Sequence, residues 1–194
     1  MIEVEKKFRL DKRQEERLVD GSEFLGSTTN EDTYWDTDDY RLTRQDHWLR
    51  QRNGRWELKR RVHELGHKLG ATAYDEIENE EGIRAFLALP GAGSMEADTL
   101  AAGYKPFATL RKERHSYKRG DFHIDLDVCD FGYAVAEIEL MLEREDDRDM
   151  ARDRIEAFAQ DIGLDQTPVR GKIIEYLYRT RRPHYDALVE AGVL

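Results

Sequence analysis

Charged residues recur at every second position in several segments that have the composition of β-strands. The first segment places Glu3, Glu5 and Lys7 on one face, with apolar Val4 and Phe8 on the other, because side chains two apart on a strand point the same way. The spacing returns in Arg50-Arg52, Glu57-Lys59-Arg61, Glu76-Glu78, Asp125-Asp127 and Glu137-Glu139. Several strands with one apolar and one charged face predict a barrel whose lumen, not its outside, is charged.

A lumen that mixes acidic and basic side chains needs ligands that balance both. A divalent metal between carboxylates would satisfy the acids, and a polyphosphate held by Arg and Lys would satisfy the bases. Because the same spacing also occurs by chance in surface strands, the Glu3-x-Glu5-x-Lys7 string alone is a weak signal.

Length and charge limit the classes of protein that this chain can belong to. A chain of 194 residues fits one domain with a sound core. The net charge of −10 means that the chain as a whole lacks the excess of positive charge that is typical of nucleic-acid-binding proteins. We therefore expect a single domain over residues 1–194 that binds no nucleic acid.

Cysteine content and hydropathy indicate the compartment. Cys129 is the single cysteine, which excludes an internal disulfide and suits a reducing environment. A charged strand pattern follows Met1 at once, so no signal peptide is expected. No apolar run approaches the ~18 residues that a membrane span needs. We expect a soluble, cytoplasmic protein that does not bind membranes and is a monomer.

Periodicity and turn signals predict an α+β fold in which antiparallel strands carry helices on their outer side. Asn53-Gly54 predicts a two-residue hairpin turn, and residues 62–71 are predicted to be a loop. Strands are predicted over 2–9, 72–79, 104–117, 121–129 and 133–143, with several more inside 23–37 and 40–61. Helices are predicted over 12–20, 80–89, 96–102, 147–162, 169–181 and 184–191.

The carboxylates of the later strands are candidates for a metal site. Glu137 and Glu139 lie in an otherwise apolar strand, where burial without cations would be costly. Asp125-x-Asp127, across a hairpin-like connection, could complete a site for a hard cation. Carboxylate oxygens suit Mg²⁺ or Mn²⁺, and no Cys/His spacing for zinc is present.

The basic residues admit two interpretations. Arg50, Arg52 and Lys59 could bind phosphate, or they could form a solvated basic edge in cross-strand ion pairs with Glu57. Trp48 shares the face of Arg50, where its indole could stack on a heteroaromatic ligand or could simply fill the barrel.

Five stretches together resemble the CYTH superfamily, the triphosphate tunnel metalloenzymes, and within it the soluble thiamine triphosphatase branch. They run in order from end to end of the chain. They are IEVEKKF at the start, DTYWDT at 32–37, DHWLRQR and WELK across 46–59, IDLDVCDFGYAVAEIE at 124–139, and GKIIEYL at 171–177.

This resemblance implies a closed eight-stranded antiparallel tunnel and Mg²⁺-dependent hydrolysis of a small-molecule triphosphate to a diphosphate and phosphate, with Mn²⁺ as a possible substitute. It implies a catalytic pair, Lys59 and Tyr34, and stacking of a thiamine ring on Trp48. The implied metal ligands are Glu3, Glu5, Asp125, Glu137 and Glu139. The implied phosphate-binding cations are Lys7, Arg50, Arg52, Lys59, Arg114 and Lys172.

Three functions remain open at this stage. The first is hydrolysis of thiamine triphosphate, and the second is hydrolysis of tripolyphosphate or a nucleoside triphosphate. The third is binding of polyphosphate without catalysis, against which an intact carboxylate set with Lys59 and Tyr34 argues. Only the shared superfamily signature points to a class IV adenylate cyclase. The sequence assigns no role to the 62–71 loop or to Asp127, Glu76 and Glu78.

Overall fold

Eight strands form one closed sheet. The computed structural model describes residues 2–61, 72–91, 93–143 and 147–194. In this part of the chain the strands hydrogen-bond in the order β1-β5-β4-β3-β2-β6-β7-β8 and close into a barrel. They are β1 (Ile2–Phe8), β2 (Glu23–Asp36), β3 (His47–Arg52), β4 (Arg55–Arg61), β5 (Thr72–Ile77), β6 (Lys105–Arg119), β7 (Phe122–Cys129) and β8 (Tyr133–Leu142).

The predicted α+β class with an antiparallel barrel is confirmed, because the strand pairs with resolved register are antiparallel. The predicted 62–71 loop lies outside the described residues. The helices are α1 (Lys12–Val19), α2 (Glu80–Leu87), α3 (Met95–Ala101), α4 (Arg148–Asp161), α5 (Lys172–Thr180) and α6 (Arg182–Glu190).

Side-chain caps explain where three of the helices begin. Asp11, Asn79 and Ser94 each accept a hydrogen bond from a backbone N–H in the first turn of α1, α2 and α3, which satisfies a donor that has no partner inside the helix. None of the described helices is both long enough and apolar enough to cross a membrane.

The several strands predicted within 23–37 and 40–61 are confirmed as β2, β3 and β4. Residues 23–36 form one long strand, and the chain then turns through a short 3-10 helix at Thr43–Gln45. The Asp36 carboxylate accepts hydrogen bonds from the backbone N–H groups of Thr37, Leu42 and Thr43, at 2.7, 3.0 and 2.9 Å. These bonds fold residues 37–43 back on the end of β2, so the chain cannot continue as a strand there.

The predicted hairpin turn between β3 and β4 is confirmed. Asn53 and Gly54 have φ angles of 49° and 82°, and two consecutive left-handed residues are typical of the type I′ turn that matches the twist of paired strands. The turn sets Arg50 opposite Glu57 and Trp48 opposite Lys59.

Contact clustering divides the chain into two compact units. Unit 1 comprises Met1–Thr29, Val62–Tyr74 and Lys112–Glu175, and unit 2 comprises Asn30–Arg61, Asp75–Arg111 and Tyr176–Leu194. Strands β2, β5 and β6 and helix α5 contribute residues to both units.

The core of unit 1 lies between strands and helices. Val4 and Phe8 of β1 and Ile138 of β8 are buried together with Leu18 of α1 and Ile155 of α4. Since side chains alternate along a strand, the odd-numbered residues of β1 lie on the opposite face of the sheet from this core. That face carries Glu3, Glu5 and Lys7, as the sequence predicts.

Unit 2 repeats this arrangement with different helices. Leu49 and Leu58, both fully buried, pack with Trp35, Ile83 of α2 and Met95 of α3. Residues 48, 50 and 52 of β3 alternate with Leu49 and therefore face away from these helices. In both units, the apolar face of the strands packs on helices, and the charged face points to the other side.

A buried histidine joins α6 to the turn before β3. His184 is 2% exposed, and its Nε2 lies 2.8 Å from Thr43 Oγ1. Because the Thr43 hydroxyl donates its proton to Asp36 Oδ2 at 2.7 Å, Nε2 must carry the proton of the imidazole. The ring stacks on Tyr40 at 3.9 Å and contacts the Phe107 edge.

Burial disfavours the charged form of this histidine and lowers the pKa of His184 to about 4, while Asp36 opposes this effect and Arg181 adds to it. Within the described residues, no hydrogen bond reaches its Nδ1. Protonation would therefore bury a proton that has no acceptor.

We predict that His184 makes the protein acid-sensitive. In the unfolded chain its pKa is about 6.5, so between pH 6.5 and 4 the unfolded state binds more protons than the folded state. Stability from this residue is complete above pH 6.5 and is lost as the pH falls towards 4. The loss between pH 7 and pH 5 is on the order of 2 kcal/mol.

Urea unfolding at both pH values tests this expectation. His184→Gln, which can keep the bond to Thr43, should lower stability at pH 7 but flatten its pH dependence. His115→Gln, at a side chain that is 46% exposed, serves as the control with an unchanged dependence. An equally steep pH dependence in His184→Gln would contradict the prediction.

Candidate active site

The residues proposed from the sequence divide into two groups, one in each unit, and we describe each group by itself. The unit 1 group comprises Glu3, Glu5, Lys7, Arg114, Asp125, Glu137, Glu139 and Lys172. The unit 2 group comprises Tyr34, Trp48, Arg50, Arg52 and Lys59.

Strand register brings the unit 1 carboxylates to one face. Glu5 lies opposite Glu139 and Lys7 opposite Glu137 in the β1–β8 pair, and Asp125 lies opposite Glu137 in the β7–β8 pair. Directly paired residues of antiparallel strands have their side chains on the same face. Glu3, two before Glu5, adds a further carboxylate to that face.

Three of these carboxylates are close enough to share an ion. Oxygen atoms of Glu3, Glu5 and Glu139 all lie within 4.8 Å of one another. Burial, followed by repulsion from Glu3, Glu137 and Glu5, raises the pKa of Glu139 well above its ordinary value. Among the described residues, no cationic side chain pairs with Glu139. The set therefore has the chemistry of a divalent-cation site, since a bound cation would relieve this repulsion.

A histidine that sequence reasoning missed extends this group. His123, Asp125 and Glu139 also offer ligand atoms within 4.8 Å of one another, and His123 Nε2 lies 3.1 Å from Asp125 Oδ1. This hydrogen bond is the main cause of a raised His123 pKa. The signal was present in the sequence, because His123 continues the two-residue spacing of Asp125 and Asp127.

Cations surround the next carboxylate along β8. Glu137 Oε2 lies 2.5 Å from Lys172 Nζ and 2.9 Å from Arg114 Nη2, and its Oε1 lies 3.7 Å from Lys7 Nζ. Burial alone would raise the pKa of Glu137, but Lys172, Lys7 and Arg114 outweigh it and hold that pKa well below its ordinary value. The structure thus brings Lys7, Arg114 and Lys172 to one carboxylate.

Asp127 binds two of the same cations, a role that the sequence left unassigned. Arg114 donates two hydrogen bonds to the Asp127 carboxylate, at 2.7 and 2.6 Å, and also pairs with Asp125. Lys172 Nζ lies 2.7 Å from Asp127 Oδ2, and buried Lys112, which sequence reasoning did not select, lies 4.0 Å from it. The cations of the unit 1 group are therefore paired with carboxylates.

The arginines of unit 2 are also paired. Arg50 Nε donates to Glu57 Oε2 at 2.7 Å, which is the cross-strand pair considered as the alternative interpretation. Arg52 donates to Asp32 from Nε and Nη2, at 2.7 and 3.2 Å. Such pairs hold both guanidinium groups in place, and they leave the acidic partners as competitors of any anionic ligand.

Lys59 pairs with an acid of the neighbouring strand. Its Nζ lies 3.4 Å from Glu76 Oε1, whereas Glu78 lies beyond the end of β5 and is exposed. Only the first acid of the Glu76-Glu78 string thus belongs to the strand that pairs with β4.

Tyr34 lies buried opposite Arg50. Burial and then the charge of Asp32 raise the pKa of Tyr34, and the nearby Arg50 and Arg52 partly offset this effect. A phenol with a raised pKa stays protonated at neutral pH, so its hydroxyl is available as a hydrogen-bond donor.

Trp48 is 6% exposed and is held from two directions. Its Nε1–H donates to Asp46 Oδ1 at 2.8 Å, and its ring meets the Tyr34 ring edge-on, at 6.3 Å and 89°. Asp46 immediately precedes β3 and was not selected from the sequence.

Comparison with known proteins identifies the family of this chain. A model of the CYTH domain matches residues 1–168. Thiamine-triphosphatases of Macaca fascicularis and Homo sapiens are each 34% identical to this chain, over 99% of the chain and 91% of the relative.

Solved structures support the same fold. A Pyrococcus horikoshii protein aligns with a TM-score of 0.67 at 22% identity, over 92% of this chain and 99% of its own. A Hippeastrum protein described as an adenylyl cyclase with a dominant triphosphatase activity aligns with a TM-score of 0.58 at 16% identity, over 92% and 95% of the two chains. The family match over most of the sequence, together with the closed antiparallel barrel, shows that this chain belongs to the CYTH domain family.

Proposed function

We propose that the protein hydrolyses thiamine triphosphate to thiamine diphosphate and phosphate, with Mg²⁺ as cofactor and Mn²⁺ as a possible substitute. The observation that carries the proposal is the unit 1 group, in which mutually repelling carboxylates lie beside half-buried Lys and Arg side chains. Acids that favour a divalent cation and bases that favour phosphate oxygens are the two requirements of metal-assisted phosphoryl transfer. The similarity to thiamine-triphosphatases over nearly the whole chain supports the choice of substrate.

Five carboxylates are the proposed metal ligands. When bound, the divalent ion would neutralise charge on the phosphate oxygens and orient them. Of these carboxylates, Glu139 has the strongest physical reason to take a cation, because burial and neighbouring carboxylates disfavour its ionised form. The full set is Glu3, Glu5, Asp125, Glu137 and Glu139.

On substrate binding, the proposed phosphate-binding Lys and Arg side chains would exchange a carboxylate partner for a phosphate group. In unit 1, Lys172 and Arg114 bind Glu137 and Asp127, and a phosphate group would compete with these carboxylates for the same N–H donors. Because these donors already lie together, little side-chain entropy would be lost on binding. The proposed phosphate-binding residues are Lys7, Arg50, Arg52, Lys59, Arg114 and Lys172.

Lys59 and Tyr34 are the proposed catalytic pair. In this role Lys59, which pairs with Glu76, would first release its proton to solvent. The neutral amine would then take a proton from the attacking water, whose oxygen bonds to the terminal phosphorus as the bond to the bridging oxygen breaks. The protonated Tyr34 phenol, whose pKa is raised, would relay the proton. The departing diphosphate keeps the bridging oxygen.

A second candidate function is hydrolysis of tripolyphosphate or a nucleoside triphosphate. The low exposure of Trp48 favours it, because an indole that is only 6% exposed offers little surface to a heteroaromatic ring. Recognition would then depend on the phosphate groups alone.

A polyphosphate-binding module without catalysis is the third alternative. The monomeric state and the cytoplasmic location stay predictions.

Phosphate release from a substrate panel tests the proposed function. We expect faster turnover of thiamine triphosphate than of tripolyphosphate or ATP, and dependence on added Mg²⁺ or Mn²⁺. Hydrolysis in excess chelator would remove the metal from the mechanism. Binding of all three compounds without phosphate release would favour a polyphosphate-binding module without catalysis.

We predict that Glu139→Gln or Glu5→Gln abolishes turnover and leaves the fold intact. Since Glu139→Gln removes an acid from a repelling set, its unfolding free energy without metal should equal or exceed that of the parent protein. Glu5→Gln also removes the carboxylate that lies 2.5 Å from Lys7 Nζ, so this variant should lose some stability while still folding. Titration calorimetry should show weakened Mg²⁺ binding. Glu113→Gln, at a side chain that is 67% exposed, is the matched control. Full activity of both site variants would contradict the metal assignment.

Trp48→Ala separates the two enzymatic candidates. Stacking of a thiazolium or pyrimidine ring on an indole is worth on the order of 1–2 kcal/mol, or roughly a five- to thirtyfold effect on kcat/KM. We expect that loss for thiamine triphosphate and little change for tripolyphosphate. Equal losses on both substrates would make Trp48 a structural residue.

A further inference from the structure

Asp46 occupies an unusual backbone position directly before β3. It ends the 3-10 turn with φ 57° and ψ 38° and is 5% exposed. Residues other than glycine rarely adopt this left-handed conformation, although Asn and Asp tolerate it best. Backbone geometry therefore favours Gly, Asn or Asp at this position, but it does not explain why the residue is an acid.

The contacts of the carboxylate supply a reason. One oxygen accepts the Nε1–H of Trp48 at 2.8 Å, and the other lies 3.3 Å from Arg61 Nη1. An ionised acceptor makes a stronger and more directional hydrogen bond than a neutral one. Because indole N–H is the only polar atom of Trp48, this bond selects one orientation of the ring.

Asp46 is itself held rigidly within unit 2. Its backbone N–H bonds to Thr43 O at 3.0 Å. Thr43 is in turn held by Asp36, through its backbone N–H and hydroxyl, and by His184 at 2.8 Å. The acceptor that meets Trp48 is therefore fixed by a buried network and not by a mobile loop.

We propose that Asp46 is a positioning residue that determines selectivity for a heteroaromatic triphosphate. By fixing the Trp48 indole between its own carboxylate and the Tyr34 ring, it presents the indole in one orientation before substrate binds. Because the indole is only 6% exposed, neighbouring side chains would have to move for a ring to reach it. The indole itself needs no reordering, which lowers the entropic cost of recognising the ring. This inference rests on the proposed function, in which Trp48 contacts the thiamine part of the substrate.

Two substitutions that suit the left-handed backbone test the inference. Asp46→Gly removes the carboxylate without strain, and Asp46→Asn keeps an oxygen acceptor for the indole N–H. For Asp46→Gly we expect KM for thiamine triphosphate to rise about three- to tenfold, the range of one lost hydrogen bond, with kcat and all tripolyphosphate constants changed less than about twofold. Asp46→Asn should restore most of the affinity.

Two controls separate positioning of the indole from general support of the fold. Arg61→Gln removes a second partner of the Asp46 carboxylate and should leave selectivity unchanged. In a Trp48→Phe background, which has no indole N–H, Asp46→Gly should add little further selective loss. An additional loss of the same size there would overturn the proposal, because Asp46 would then act by another route.

The outcomes distinguish this proposal from the function on which it rests. If the parent protein cleaves tripolyphosphate but not thiamine triphosphate, the proposed substrate is wrong and the inference is overturned with it. If the parent protein cleaves thiamine triphosphate and Asp46→Gly weakens both substrates equally, or neither, the inference alone is overturned. Thermal unfolding of each variant is measured alongside, and Asp46→Asn decides the question if Asp46→Gly unfolds.

Discussion

Burial of like charges on one face of the strands is the constraint on which the rest of this structure depends. Glu139 lies beside Glu3 and Glu5 without a cationic partner among the described residues, while two residues along the strand Glu137 binds three cations. The helices pack on the apolar face of the strands. Apolar packing cannot cover the opposite face, because that face carries the charged side chains. They are stable only if they neutralise one another or bind ligands of opposite charge.

The two units meet this requirement differently. In unit 1, no described cation pairs with Glu139, and the neighbouring Glu3, Glu137 and Glu5 disfavour its ionised form, which favours a metal ion. In unit 2, Arg50, Arg52 and Lys59 each have an acidic partner, in Glu57, Asp32 and Glu76 respectively. Ion pairs of this kind hold the cations in a fixed geometry. The cations can still bind an anionic ligand, because a phosphate can replace a carboxylate as the acceptor. The pairs therefore preorganise the basic residues for anionic ligands.

Prediction from the sequence succeeded where one local rule decides the outcome. Alternation with a period of two placed Glu5 with Glu3 and Leu49 with the core, and Asn53-Gly54 fixed the β3–β4 register through turn geometry alone. It did not predict the bend after β2, because strand propensity does not show that Asp36 will bind the backbone of residues 37–43. It also passed over His123, which carries the predicted spacing, and it offered Asp127 for a cation site, whereas the structure pairs this carboxylate with Arg114 and Lys172.

By itself, then, the sequence determined which residues alternate, which faces are charged and, through resemblance, which family the chain joins. Only the tertiary structure decided the distant partners: that Lys172 reaches Glu137 and that His184 meets Thr43. The residues of this last pair are 141 positions apart. Local sequence carries no record of such pairs, because hydrogen-bond geometry depends on how separate elements pack and not on the spacing within any one of them.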